Sequence, residues 1–556
     1  MNEEGDGTAT TAAPVTPAPG PRRQLVAGPG GRRPSPLLVV LALATLALVA
    51  LPLVYLVVRS LEGRASAWSV LTRAHTGEVI ADTLLLVVGV AGCSLLLGVG
   101  LAWAVVRTDL PFRRVVGTLA ALPLVVPSYV AALCLLGAFG PRGLLQQVLG
   151  SLFGVERIPE IYGYTGALLA LTLSTYPYVF LLAAAALSTL DPALEEAARS
   201  LGRSRGSTFL RVVLPALRPS LGAGTLLVAL YTLSDFGAVS LMQYNALTRS
   251  IYLQYRSLFD RTPAAVLSLA LVALTAVVLL LEARTRSRGR QYRSTPGTAR
   301  ATVALRLGRW RWPALAACAV PIGFFAGVPL AVLGYWLARG VANDQSLEFA
   351  WGAVGNSLLV AVLAAVAAIV FAWPVAFLAQ RQRAGWATAI ERACFGANAL
   401  PGIVIALSLV YFGARYATPL YQTLTLLVAA YVVRFLPQAL AGVTSGLGTV
   451  SPRLEEASRG LGRSQLATIA TVTLPMARRG VLAGAALVLL STLKELPATL
   501  LLRPIGFDTL ATEIWRTTSL GYYSRAALPA LVLIAISAPF VFLLQARGAL
   551  EGERPD

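Results

Sequence analysis

The chain has 556 residues, of which 56% are hydrophobic and only 13% charged. A soluble domain carries about a quarter charged residues, and the apolar residues here gather in runs of roughly 18 or more, long enough to cross a bilayer as helices. Composition therefore sets aside a soluble globular protein, while the net charge of +20 leaves nucleic-acid binding open until the arginines are located along the chain.

In chain order, residues 1–36 are rich in Ala, Pro, Gly and Thr, lack a hydrophobic period and are expected to form a disordered tail. Arg22-Arg23 and Arg32-Arg33 precede an apolar run from Leu37 to Val58. That run exceeds the apolar region of a signal peptide, so it reads as an uncleaved first span with the N-terminus held inside. Six spans are predicted at 37–58, 81–106, 115–139, 164–188, 217–242 and 263–282, making a first half over 37–282. A basic linker, 283–312, leads to six more at 313–337, 354–379, 391–412, 421–445, 478–502 and 525–546, a second half over 313–546 with a short tail at 547–556. All are expected to be helices, because lipid offers no partner to unpaired backbone groups. Cys93, Cys134, Cys318 and Cys394 each stand singly in an apolar stretch and read as packing residues. The only histidine, His75, lies in a polar connection and builds no metal site.

With the N-terminus inside, the loops assigned to the cytoplasm hold about 31 of the Lys and Arg residues and the outer loops about 13. The inside set includes Arg107, Arg113, Arg114 and the dense run from Arg284 to Arg311. Topology thus accounts for the basic charge, and no nucleic-acid partner is expected.

A repeat then stands out. Residues 191–215 read DPALEEAARSLGRSRGSTFLRVVLP and residues 451–475 read SPRLEEASRGLGRSQLATIATVTLP, at a constant separation of 260. Pro177 and Pro437, Gly224 and Gly484, and Asp235 and Glu495 keep the same separation. Asp82-Thr83-Leu84-Leu85 resembles Asn356-Ser357-Leu358-Leu359 at a different one. Both 25-residue copies lie in loops assigned to the cytoplasm, between the fourth and fifth spans of their half. Asp191 or Ser451 can cap a helix whose first position is Pro192 or Pro452. Glu195-Glu196 and Glu455-Glu456 lie near its positive end. Small residues, Ala197-Ala198 and Ala457-Ser458, leave room for another protein to approach. Gly202 and Gly462 can make the turn that ends the helix. The expected product is a short helix, a tight turn and a second helix on the cytoplasmic surface.

These residues resemble the EAA loop of ABC-importer permeases: Glu-Ala-Ala, three residues, Gly, nine residues, Ile-x-Leu-Pro. The first copy has Val212 for Ile; the second has Ser458 for the second Ala and Val472 for Ile. The resemblance implies an all-α polytopic membrane protein of about 12 helices, two six-span type I (MetI-like) permease units, in a bacterial cytoplasmic membrane with both termini cytoplasmic. It further implies that Glu196, Ala197, Ala198 and Gly202 dock one ATP-binding subunit and that Glu456, Ala457, Ser458 and Gly462 dock a second copy. An extracytoplasmic solute-binding protein is expected with them. KELPATLLLRP at 494–504, DTLATEIW at 508–515 and SDFGAVSLM at 234–242 are similar to the fused ferric-iron permeases. Related fused permeases serve thiamine, phosphonate and other solutes. A 6+6 secondary transporter is the alternative of a different class, disfavoured by the paired loops. The only lysine, Lys494, lies outside any Gly-Lys-Ser/Thr motif, so ATP is expected on a partner, with no cofactor and no catalytic residue on this chain.

Asp235, Arg434, Lys494 and Glu495 fall within predicted spans, where ionisable groups are costly and face the bundle interior. Two readings stand. Asp235 and Glu495 line the translocation path, where carboxylate oxygens suit a hard cation. Alternatively Glu495 neutralises Lys494 or Arg434, and Asp235 caps a break near Gly237.

Overall fold

The computed structural model describes residues 35–62, 68–256 apart from 71, 142, 156 and 158, then 261–286, 305–343, 351–382 and 385–552. The N-terminal tail and residues 287–304 of the basic linker lie outside the described residues. Helices account for nearly all regular structure among those described, and each of the twelve expected spans coincides with helix. Among the described residues nine helices are long and apolar enough to cross a membrane, or up to eleven with each of two bent pairs taken as one span. The last segment has a shorter apolar stretch, Tyr523–Pro539.

The first half opens with α1 (Pro36–Glu62) and α2 (Ala74–Arg107). At 1.5 Å per residue the 34 residues of α2 reach about 51 Å, so its basic end projects beyond a bilayer core of about 30 Å. The third span is not one helix. It splits into α3 (Arg113–Ala121), a 3₁₀ turn over Leu122–Val125 and α4 (Ser128–Phe139). Pro123 and Pro127 remove amide donors, and Val126 before Pro127 is forced into an extended conformation. Then come α5 (Leu144–Phe153), α6 (Tyr164–Thr189) and the loop helix α7 (Pro192–Ser200). The fifth span, α8 (Arg218–Ser234), stops at Asp235 instead of reaching 242, and is followed by α9 (Gly237–Leu241), α10 (Leu247–Arg256) and α11 (Thr262–Arg286).

The second half repeats this plan. It runs α12 (Gly308–Ala342), α13 (Trp351–Arg381), and α14 (Gly385–Phe395) with α15 (Gly402–Tyr416), a pair bent by 104°. Next come α16 (Leu424–Gly448), the loop helix α17 (Pro452–Gly460), and α18 (Leu474–Leu493), which also ends before its expected boundary. The half closes with α19 (Pro497–Leu502), α20 (Leu510–Ser519) and α21 (Tyr523–Gly552). The two separations in the repeat now have a cause. Equivalent residues before α5 are 274 apart, as with Pro127 and Pro401; after it they are 260 apart, as with Pro177 and Pro437. The second half lacks a counterpart of α5.

The halves are sequence units whose first helices change sides. In α1, Thr45 Oγ1 donates to the Phe371 carbonyl of α13 at 3.1 Å, the Pro52 carbonyl accepts from Ser408 at 3.2 Å, and Tyr55 stacks on Tyr411 at 4.6 Å. Reciprocally, α12 lies on the first half, where Tyr335 donates to Gln147 at 2.9 Å and Trp336 covers Gly137. In the second half α16 and α18 cross almost in backbone contact. A Cβ on Gly442 would meet Gly484 Cα at 2.5 Å, and one on Gly480 would meet the Gly446 nitrogen at 2.5 Å. Gly442-x-x-x-Gly446 facing Gly480-x-x-x-Gly484 is the small-residue packing that lets helices associate in lipid, where no hydrophobic force drives them together.

Candidate functional site: repeated loop helices and intramembrane breaks

The two repeated loops fold alike. In α7 the Ala193 N–H donates to the Asp191 carboxylate at 2.9 Å, a side-chain cap, while Ser451 stands at the same place before α17 without one. Gly202 and Gly462 end the helices at φ +79° and +86°, where a side chain is strained. Short helices Arg205–Thr208 and Gln465–Thr468 follow, each running into a five-residue π turn, Phe209–Val213 and Ile469–Thr473. Glu196, Ala197, Gly202, Glu456, Ala457 and Gly462 are exposed. Ala198 and Ser458 are not; each is buried, and Ser458 Oγ lies 3.2 Å from Thr468 Oγ1. Their smallness lets the loop helix pack on its own second helix. The exposed face instead carries Leu201 and Leu461, 82% and 85% accessible. The sequence reading passed over these two; the signal was an identical apolar residue before the glycine in two polar loops.

A second repeated feature also went unread. Arg107, at the end of α2, places Nη2 3.2 Å from Glu195 Oε1 and donates to the Leu190 carbonyl at 3.4 Å. Arg381, at the end of α13, holds Glu455 with two parallel bonds, Nε to Oε2 at 3.0 Å and Nη2 to Oε1 at 2.8 Å, and reaches the Val450 carbonyl at 3.1 Å. Thr473 adds a bond to Glu455 at 3.1 Å. Each loop helix is thus tied to the long second helix of its half. The first anchor also bears the linker. Leu305 N–H donates to the Arg107 carbonyl at 2.9 Å and Asp109 N–H to the Leu305 carbonyl at 3.1 Å. The Asp109 carboxylate accepts from the Leu307 N–H at 2.7 Å and from Arg311 at 2.6 Å. The Leu307 N–H, and then Arg311, hold the Asp109 carboxyl below the usual carboxylate range.

Inside the bundle the two acidic residues occupy equivalent breaks. Asp235 Oδ1 accepts the Ala238 and Val239 N–H groups at 2.9 and 3.3 Å, capping α9, and Ser128 Oγ–H donates to Oδ2. Glu495 accepts from Ala498 N–H at 3.1 Å and from Thr499 N–H and Oγ1–H at 3.2 Å each, capping α19. Ser128 and Gly402 are the equivalent first residues of α4 and α15. Where Asp235 meets a serine, the longer Glu495 needs a glycine: a Cβ on Gly402 would meet its Oε1 at 2.8 Å. Capping near Gly237 is therefore the observed arrangement for Asp235. Glu495 caps too, and forms no ion pair with Lys494 or Arg434 among the described residues. Lys494 Nζ donates to the Leu124 carbonyl of the first half at 2.7 Å, and Arg434 Nη1 to the Leu400 carbonyl at 2.6 Å. Among the described residues no group of three or more His, Cys, Asp and Glu is placed to hold a metal ion.

Comparison with known proteins agrees with this geometry. The family model described as binding-protein-dependent transport system inner membrane component matches residues 94–290 and 368–547, one match in each half. The chain is 32% identical over 505 residues to the "Fe(3+)-transport system permease protein FbpB 2" of Haemophilus influenzae, covering 89% of this chain and 95% of that protein. It is 25% identical over 409 residues to the "Ferric transport system permease protein FbpB" of Actinobacillus pleuropneumoniae, 69% of this chain and 59% of that one. The "Molybdenum transport system permease protein ModB" of Escherichia coli is 30% identical over 194 residues, 34% of this chain and 83% of its own length. Two matched segments, each enclosing a loop helix anchored by an arginine, make this chain a member of the binding-protein-dependent transport system inner membrane component family.

Proposed function

We propose that this chain is the membrane permease of an ATP-driven importer of ferric iron. Two copies of a separate nucleotide-binding subunit hydrolyse the ATP, and an extracytoplasmic binding protein delivers the iron. The carrying observation is the 32% identity to a ferric permease over 95% of that protein's length, with both halves in one chain. In this reading α7 and α17 dock the two ATPase subunits on the cytoplasmic side, through Glu196, Ala197, Gly202 and Leu201 and through Glu456, Ala457, Gly462 and Leu461. Ala198 and Ser458 support those surfaces from within. Arg107 and Arg381 carry the movement of each docking helix into α2 and α13, so the pore opens alternately to the two sides. The arginine distribution supports cytoplasmic termini. Asp235 and Glu495 act on the path by holding the breaks that shape it. The test is ATP-dependent uptake of ⁵⁵Fe by the assembled transporter in proteoliposomes, with growth of a deletion strain under iron limitation. Unimpaired growth together with no ⁵⁵Fe uptake would refute iron as the solute.

A further inference from the structure

Along the middle of α6, from residue 170 to 180, every residue is buried except Tyr178. Along the middle of α16, from 430 to 440, only Arg434 and Gln438 keep accessible surface, one turn apart on the same face. A lipid-facing side would leave a longer stripe, so these positions look onto a space within the bundle. That space borders the seam between the halves, where Lys494 Nζ donates to the Leu124 carbonyl at 2.7 Å and a Cβ on Gly237 would meet Leu496 Cδ2 at 3.3 Å. Tyr178 and Tyr231 lie with ring centroids 6.2 Å apart. Their equivalents 260 residues on are Gln438 and Ser491, joined by a bond of 2.9 Å. The same two positions thus pair within each half. The Tyr129 hydroxyl of α4 is likewise buried, with no hydrogen-bond partner among the described residues.

The carboxylate oxygens of Asp235 and Glu495 are turned into the starts of α9 and α19. Arg434 has no carboxylate within 4.0 Å among the described residues, and its one described hydrogen bond leaves guanidinium N–H groups over. The guanidinium is a fixed donor fork suited to oxygen anions, and the amide and hydroxyls beside it can donate to the same oxygens. We propose that Tyr178, Tyr231, Arg434, Gln438 and Ser491 form a solute-contact site between the halves for oxygen-rich anionic cargo. Resting on the iron reading above, ferric iron then crosses as an anionic complex with carboxylate or phosphate ligands attached, not as a free cation.

The test uses the full transporter with its ATPase subunits and binding protein in proteoliposomes, supplied with ⁵⁵Fe and either ¹⁴C-citrate or ³²P-phosphate. One of the two labels is expected to enter with the iron. Gln438→Glu, which keeps the side chain's size and adds a negative charge, is expected to lower uptake at least tenfold with assembly and ATP hydrolysis intact. Arg434→Gln should act likewise and Arg434→Lys recover part of the rate. Iron entering with neither label, or Gln438→Glu transporting at the wild-type rate, overturns the site and leaves the iron reading standing. If sulfate or molybdate enters in place of iron and Gln438→Glu blocks it, the iron reading falls and the anion site stands.

Discussion

Substituting Arg381 by glutamine removes the anchor of the second loop helix, α17. Its guanidinium makes three bonds of 2.8–3.1 Å, two to Glu455 and one to the Val450 carbonyl, and the two side chains are only 12% and 11% exposed. Removing one partner of a buried pair leaves the other charge uncompensated and costs about 3–5 kcal/mol. The lower end applies because both groups retain some access to water. About 3 kcal/mol is roughly a hundredfold change in the fraction of time the loop stays anchored. The first-half pair differs: one contact at 3.2 Å, with Glu195 28% exposed, so Arg107→Gln costs about 1 kcal/mol, roughly fivefold. Amide hydrogen exchange on the purified permease reads both loops at once. Arg381→Gln should lower protection across 452–473 by about a hundredfold and leave 192–213 unchanged, and the ratio of solute transported to ATP hydrolysed should fall. Unchanged protection in 452–473, or an equal loss from Arg107→Gln, would refute the anchoring role.

Three further outcomes follow from the same contacts. Gly202→Ala and Gly462→Ala meet no neighbour but force a methyl-bearing residue to positive φ. Each should cost about 1 kcal/mol and reduce co-purification of the ATP-binding subunit while leaving the permease folded. Asp235→Asn keeps an oxygen for the Ala238 and Val239 N–H groups, so uptake should stay near normal. Asp235→Ala strands them in the bundle and should lower thermal stability by about 1–2 kcal/mol; near-normal melting of the alanine variant would exclude the capping role. Asp109 titrates below its ordinary value when folded, so its contribution to linker attachment is present above about pH 4 and is lost as pH falls through its lowered value. Asp109→Asn should expose the Leu305 and Leu307 amides to exchange at pH 7, and equal exchange in both proteins would count against the attachment.

Much of this molecule was legible in one dimension. Long apolar runs, the 260-residue repeat and the Glu-Glu-Ala-x-x-x-x-Gly pattern placed the helices and the repeated loops, because hydrophobic periodicity and turn residues act locally. Span boundaries failed where proline and polar pairs act together. Pro123 and Pro127 broke a run read as one helix, and Asp235 and Glu495 ended helices expected to continue. Which of two adjacent small residues faces outward was equally hidden, since Ala197 and Ala198 differ only in what packs against them.

By itself the sequence determined a duplicated helical membrane protein with two matching loop helices, because burial in lipid and helix capping depend on residues a few positions apart. Tertiary structure alone decided the rest. It set Arg107 and Arg381 against loops more than 70 residues away, exchanged α1 and α12 between the halves, and seated the carboxylates of Asp235 and Glu495 on the starts of α9 and α19. Side-chain contacts between distant segments fix what a charge neutralises, and a charge's position in the sequence carries no record of that partner.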